Sequence, residues 1–397
     1  MLPIVRCSFF RVALVALLLV ALLQLLYLSL LSSLHRQQQW FMYPMSGNSA
    51  QAESRWQKQQ MEDLKAAIAG SGVLDSSGQY WIYRKLLPHE KGDWKTLDVI
   101  LASHTSINNL GHVRELVQHW DGRFSLALFA SSPLQAKLAT MLAYSLFRLC
   151  PNVRNKVTFH LVCKSGNRAT FSELEDALEF ASLNTCEAVF SKAESMGSHV
   201  INYAGNASYP NNLLRNVAKA GIGKDTFALV IDIDMVPSGG LRLGFINLAA
   251  KGLDPLTALP AFEIRHTRRL PSTKKELLQL YQVVRQAVPE VTYAVEWKDP
   301  WEPFYIGRSD VPAYDERFKQ YGFSKIFCFV LFSQACELNM AGFSFAVLDS
   351  AFLLHKGYKL PGDFHRQKEA ENRRNRQLFR AFKEELKLRY PQSPCHC

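Results

Sequence analysis

The chain has 397 residues, 48% hydrophobic and 12% aromatic, which excludes a mostly disordered protein and leaves room for about two to three average domains or one large one. With 46 basic and 35 acidic side chains, the net charge is +11, a balance that favours an anionic partner such as a nucleotide, an acidic glycan or a membrane surface. Neither zinc-finger spacing nor an RNP-type aromatic signature occurs, so nothing points to nucleic acid.

Arg6 and Arg11 precede an apolar run at residues 12–31. As a helix, that run spans about 30 Å, the thickness of a hydrocarbon core. It is Leu-rich to its end and lacks an A-x-A-like cleavage site, so it reads as an uncleaved signal-anchor. The positive flank keeps residues 1–11 cytoplasmic and the rest lumenal, a type II membrane topology. Residues 32–93 read as a lumenal stalk, with a short helix at 56–69 and a strand at 80–87; residues 94–397 form the globular body. Seven cysteines follow the anchor, with no zinc-type CxxC pair, so disulfides or free thiols are expected and one cysteine stays unpaired within the chain. Asn206-Ala207-Ser208 is a glycosylation sequon, making Asn206 a candidate surface site.

Within the body, residues 96–102, 124–130, 157–163 and 227–231 are short apolar runs that read as buried strands. Helical patterns lie between them, at 109–120, 133–147, 174–183 and 209–220. This alternation predicts an α/β fold with a mostly parallel, Rossmann-like sheet, whose ligands sit at the carboxyl ends of the strands. Further on, 256–264 reads as one strand containing Pro260 and 274–286 as a helix. The aromatic, Pro-bearing stretch at 297–306 reads as a loop. A helix at 334–342, strands at 345–348 and 351–354, and a long basic helix at 366–390 complete the chain. Leu378, Phe382 and Leu386 recur every four residues and form that last helix's packing stripe.

The stretch FALVIDIDMVPSGG, residues 227–240, carries the chemistry. Asp232 and Asp234 are two residues apart at the end of a buried strand, a spacing that puts both carboxylates on one side. Unpaired there, they would repel and be poorly solvated. A divalent cation, Mn²⁺ or Mg²⁺, removes that cost and would bind a diphosphate leaving group. Two reaction classes use such a site: glycosyl transfer from a nucleotide-sugar, and phosphoryl hydrolysis with Asp232 as nucleophile. The second matches D-x-D-x-[TV], but at least three strands precede the motif and no downstream Asp-Asp pair follows. His104 sits at the end of the first body strand, in the same layer, as a candidate contact for a nucleotide base.

The blocks LVIDIDMVPSGGL, YPNNLLRNVAKAG, DPWEPFY, YDERFKQYGF, SQACELNMAGF and FLLHKGYK resemble the beta-1,4-glucuronyltransferase group of glycosyltransferase family 49. That group is related to the second catalytic domain of the LARGE glycosyltransferases. The resemblance covers roughly residues 97–391. It implies a GT-A nucleotide-sugar-binding fold and a type II enzyme of the Golgi membrane. It also implies inverting, β-1,4 transfer of glucuronic acid from UDP-glucuronate to a β-linked xylose on α-dystroglycan, priming the LARGE-made glycan, with LARGE-type enzymes as partners. An alternative is β-1,3-N-acetylglucosaminyl transfer in poly-N-acetyllactosamine synthesis; another is a non-catalytic lumenal partner of a second glycosyltransferase.

Carried over residue by residue, the resemblance makes Asp232, Asp234 and His355 the metal ligands for Mn²⁺ (or Mg²⁺). Arg215, Asn216 and Lys356 join His104 and the two aspartates as donor-binding candidates. An inverting transfer needs a general base, for which Asp315, Glu316, Glu302 and Glu263 are the candidates, with Asp315 the first choice. One departure stands out: residues 327–332 (FCFVLF) intervene where the family block runs directly into SQACEL, and read as an insert from an upstream splice-acceptor choice or a gene-model error.

Overall fold

The computed structural model describes residue 24 and residues 46–90, 97–167, 169, 180, 183–197, 209–220, 222, 226–252, 256–265, 269–280, 292–319, 329–357 and 368–397. The expected anchor therefore lies outside the described residues apart from residue 24, and Asn206 lies outside them too. So does the predicted helix 174–183, except for Phe180 and Leu183. Among the described residues, no helix is long and apolar enough to cross a membrane. The chain divides into two compact units, Met1–Asp63 and Leu64–Cys397. In the first, the described part is residue 24 and residues 46–63 of helix α1 (Ser46–Gly70). Everything below concerns the second.

Its strands are β1 (Gly72–Leu74), β2 (Tyr80–Leu87), β3 (Val99–Ser106), β4 (Phe124–Ala130), β5 (Val157–Lys164), β6 (Phe227–Val230), β7 (Met235–Pro237), β8 (Leu256–Leu259), β9 (Ala261–Ile264), β10 (Thr292–Val295), β11 (Phe304–Arg308), β12 (Phe345–Leu348) and β13 (Leu353–Lys356). The helices after α1 are α2 (His112–His119), α3 (Pro133–Leu149), α4 (Pro151–Lys156), α5 (Cys186–Gly197), α6 (Asn211–Ala220), α7 (Leu241–Ala249), α8 (Lys274–Leu280), α9 (Phe329–Met340) and α10 (Lys368–Arg389).

A ten-stranded sheet runs β1-β2-β5-β4-β3-β6-β11-β8-β12-β10, and a three-stranded sheet runs β7-β13-β9. The block β5-β4-β3-β6 is parallel throughout. Its strands read as near-continuous apolar runs because both faces are covered, and β4 is buried along its whole length. The expectation of a mostly parallel sheet holds for that block and for the β8–β12 pair, and fails for the other pairs of the sheet. β2 joins β5, and β11 joins both β6 and β8, antiparallel. The architecture is therefore a mixed α/β fold.

Three corrections follow from hydrogen bonding. β1 and β2, in the stretch assigned to a stalk, belong to the main sheet. The single strand expected over 256–264 is two, in different sheets: Pro260 has no N–H for a ladder, and its carbonyl accepts from Leu353 N instead. The stretch 297–306, expected as a loop, becomes strand β11 from Phe304 onward, paired on both edges.

Helix α6 packs on the parallel block through Leu213, Leu214, Val217 and Ala218, which meet Ile100, Ala102, Phe129 and Val162. Its other side carries Asn212, Arg215, Asn216 and Lys219. A second core gathers Trp297, Phe332, Phe345, Phe379, Phe382 and Leu386 beneath α9 and α10. Phe332 is 1% exposed and stacks within 4.8 Å of Phe379. The last residue of the suspected insert is thus a core residue that seats the first turn of α9. Its first two residues, Phe327 and Cys328, lie outside the described residues. Disulfides join Cys150 to Cys186 and Cys336 to Cys397, while Cys163 and Cys395 are free thiols.

Candidate active site

The parallel block ends where β3 delivers Ser103–Ser106 and β6 delivers the chain to Asp232. β6 stops at Val230, so Asp232 and Asp234 lie on the turn that follows and not on the strand itself. The expected same-side alignment is therefore lost. Asp232 faces α6: its Oδ1 accepts from Arg215 Nη2 at 2.7 Å. Asp234 faces the small sheet: its Oδ2 lies 3.2 Å from His355 Nε2. Strand register explains the second contact. β7 begins one residue after Asp234, and its Met235 pairs with His355 on β13.

His355 also sets its Nδ1 3.0 Å from the Gly357 carbonyl. A carbonyl only accepts, so Nδ1 carries a proton and donates it there, which leaves Nε2 facing the Asp234 carboxylate. Two acceptors at that distance need a cation or a proton between them. A ring N–H held by a backbone carbonyl, with the other nitrogen free to ligate, is the usual arrangement of a metal-binding histidine. Carboxylate oxygens suit Mn²⁺ or Mg²⁺, and here one stands beside an imidazole nitrogen. Among the described residues, no three His, Cys, Asp or Glu side chains converge as a preformed cluster. Asp232 remains turned toward Arg215.

Arg215 is completely buried. Its Nη1 donates to Asn212 Oδ1, and its guanidinium lies 5.7 Å from the centre of the Tyr314 ring. Asn212 Nδ2 donates to the Asp315 carbonyl, and Asn216 closes a reciprocal pair with the Tyr314 backbone. Lys219 donates to the Val311 carbonyl. Helix α6 thus clamps the 311–316 segment while orienting Asp232. Asn212, Lys219 and Tyr314 were not singled out from the sequence. The signal was present as a polar stripe at 212, 215, 216 and 219, the spacing of one helix face.

The other candidates are placed as follows. His104 is buried; its Nδ1 lies 2.9 Å from Tyr209 Oη and its Nε2 4.0 Å from Asp232 Oδ1. Burial, with Arg215 beside it, pushes this imidazole down to about 3 although Asp232 and Asp234 pull the other way, so it is neutral. Its Nε2 is buried without a hydrogen-bond partner, and the ring presents no exposed edge to a nucleotide base. Lys356 sets its ammonium 2.5 Å from Glu115 on α2. Asn216 holds the Glu316 carboxylate at 2.8 Å. Asp315 is held by Arg317 through both oxygens, and Arg317 also pairs with Glu385 of α10. The carboxylates of Asp315 and Glu316 are thus not brought together with Asp234 and His355. Glu302 is placed differently. Glu302 lies two residues before β11, whose Ile306 pairs antiparallel with Leu229 of β6.

Two comparisons bear on what this arrangement is. The sequence profile described as glycosyl-transferase for dystroglycan matches residues 98–289 and 284–391. Beta-1,4-glucuronyltransferase 1 of Danio rerio is 45% identical over 99% of both chains. The chain belongs to this glycosyltransferase family. The Homo sapiens beta-1,4-glucuronyltransferase 1 is 46% identical, with 84% of this chain and 85% of that one covered. The human xylosyl- and glucuronyltransferase LARGE1 is 26% identical, over 73% of this chain and 35% of its own. Among solved structures, Staphylococcus aureus TarS in complex with UDP-GlcNAc aligns over 75% of this chain and 68% of its own, with a TM-score of 0.37 and 12% identity.

Proposed function

We propose that this glycosyltransferase of mixed α/β fold is of GT-A type and transfers glucuronic acid from UDP-glucuronate, with inversion, to a β-linked xylose. The observation that carries the reading is the end-to-end 45% identity to a glucuronyltransferase, joined to the Asp234–His355 pair at the end of the parallel block. Asp234 and His355, with Asp232 completing the set, would hold Mn²⁺, or Mg²⁺ in its place. Bound there, the ion supplies charge neutralisation for the departing nucleoside diphosphate. Arg215 acts through Asp232, fixing its carboxylate from the buried side. Glu302 is the general base of this reading, taken over Asp315 and Glu316 because Arg317 holds the Asp315 carboxylate and Asn216 the Glu316 carboxylate; it would take the acceptor hydroxyl's proton.

By the same family reading, the acceptor is the xylose-bearing glycan of α-dystroglycan and the enzyme is a type II protein of the Golgi membrane. A donor panel tests the proposal. Purified protein is offered UDP-glucuronate, UDP-N-acetylglucosamine and UDP-xylose with a β-xyloside, and the product linkage is read by NMR. Glucuronate transfer with an inverted β-1,4 linkage is expected. Preference for UDP-N-acetylglucosamine would reject the proposal.

A further inference from the structure

A cavity of about 690 Å³ lies on the far flank of α6 from Asp232. Leu213 and Asn216 line it, whereas Arg215 points to Asp232. Residues two apart on a helix differ by about 200° around its axis, so Leu213 and Arg215 serve opposite flanks. The Tyr314 ring stands between the cavity and the Arg215 guanidinium. None of Asp232, Asp234 and His355 lines the cavity.

The charges around this space are of two kinds. Some are satisfied. Asp75 accepts from the Ser77 hydroxyl and from the N–H groups of Ser77, Gln79 and Tyr80. Asp315 and Glu385 share Arg317. Others are not. Among the described residues, neither Lys319 nor Arg374 has a carboxylate at ion-pair distance. Lys319 donates to Gln79 Oε1 at 2.7 Å and lies over the Tyr80 ring. Burial and the Arg374 charge pull its ammonium below the ordinary lysine range, with Lys164 adding to them and the Asp75 and Glu316 carboxylates opposing. Glu316 faces the same cavity, with one carboxylate oxygen on Asn216.

Two cations that line one roomy cleft with no carboxylate at ion-pair distance among the described residues, beside a hydrogen-bond acceptor, define a ligand that is anionic and bears hydroxyl groups. We propose that this cavity is a second glycan site, separate from the donor site, that binds an acidic sugar chain. The anionic group sits on Lys319 and Arg374, and a neighbouring hydroxyl donates to Glu316. The anion part stands on the cavity itself; the assignment to a sugar rests on the glycosyltransferase reading above.

The test is equilibrium binding to the full-length protein of three disaccharides bearing a carboxylate, a sulfate or a phosphate, which separates the sources of the anion. A neutral disaccharide and inorganic sulfate are measured alongside, and UDP is titrated in parallel. At least one charged disaccharide binds saturably, and the neutral one binds far more weakly. Lys319→Gln and Arg374→Gln each weaken the charged ligand by about 10-fold, the worth of one charge-assisted hydrogen bond. Lys319→Arg keeps the affinity, and UDP binding is unchanged in all three variants. Charged-sugar binding in a protein that does not bind UDP would reject the donor reading and leave this site standing. Three results overturn the site: no charged disaccharide binds, Lys319→Gln binds as wild type does, or inorganic sulfate or the neutral sugar binds as tightly as the charged one.

Discussion

Arg215, buried in helix α6, holds Asp232 with a 2.7 Å ion pair, and Asp232 in turn leaves only part of its surface to solvent. This pair connects the helix that clamps residues 311–316 to the turn that carries both aspartates. Removing the arginine strands a carboxylate beside a neutral, buried His104. Arg215→Met is therefore expected to destabilise the protein by about 3 kcal/mol, the usual cost of breaking one partner of a buried pair. Arg215→Lys restores little of it, because one ammonium cannot reach both Asn212 and Asp232 in the guanidinium's fork geometry. Denaturant unfolding of both variants gives the answer.

The Asp234–His355 pair predicts a metal-dependent stability. Mn²⁺ should raise the melting temperature of the wild-type protein, since anything that binds only the folded state stabilises it. In His355→Ala the half-saturating Mn²⁺ concentration should rise by about 10- to 100-fold, a range already seen for loss of outer-shell partners at metal sites. Thermal melts across a Mn²⁺ series measure this without any turnover. An unchanged midpoint concentration would remove His355 from the site.

Glu302→Gln should lower kcat by about 10²- to 10⁴-fold, the usual contribution of a general base, and should remove the acidic limb of the pH–rate profile. Asp315→Asn is expected to retain that limb, because the Asp315 carboxylate already serves Arg317. The reverse pattern would move the base to Asp315.

His160 on β5 contributes a pH dependence to the fold itself. Burial, with Arg84 and Lys85 nearby, pushes it from 6.5 down to about 3. Its Nδ1 accepts from Lys85 N, and its Nε2 meets Ser125 Oγ, which donates on to the Ala218 carbonyl. The unfolded chain binds a proton below pH 6.5 that the folded chain refuses until about pH 3. The stability is therefore complete at neutral pH and falls as pH drops through this window. The loss is about 2 kcal/mol between pH 7 and pH 5. Urea unfolding at the two pH values, in wild type and His160→Gln, should show this slope shrinking in the variant.

The sequence was most informative where one physical signal dominates. The four strands of the parallel block are apolar runs because both their faces are covered, and they lie close to where periodicity places them. The aspartates were legible as a candidate site because an apolar strand end tolerates two bare carboxylates poorly. Their separate partners were not legible, since these depend on where α6 and β13 fall in space. β11 was hidden because Pro300, Pro303 and the tryptophans around them read as a loop, while its five residues gain their order from neighbours distant in sequence. Phe332, the last residue of the suspected insert, meets Phe379 and Trp297 in the core, a placement that its position in the sequence did not show. The polar stripe of α6 was readable as a helix face, but not its target.

The most direct measurement is glucuronate transfer to a β-xyloside by the wild-type protein and by Asp234→Asn, each with Mn²⁺ and with a chelator. Transfer is expected from the wild type in Mn²⁺ alone, with a loss of at least about 100-fold on chelation and a similar loss in Asp234→Asn. Transfer that survives both the chelator and the substitution would contradict a metal-dependent site at Asp234 and His355.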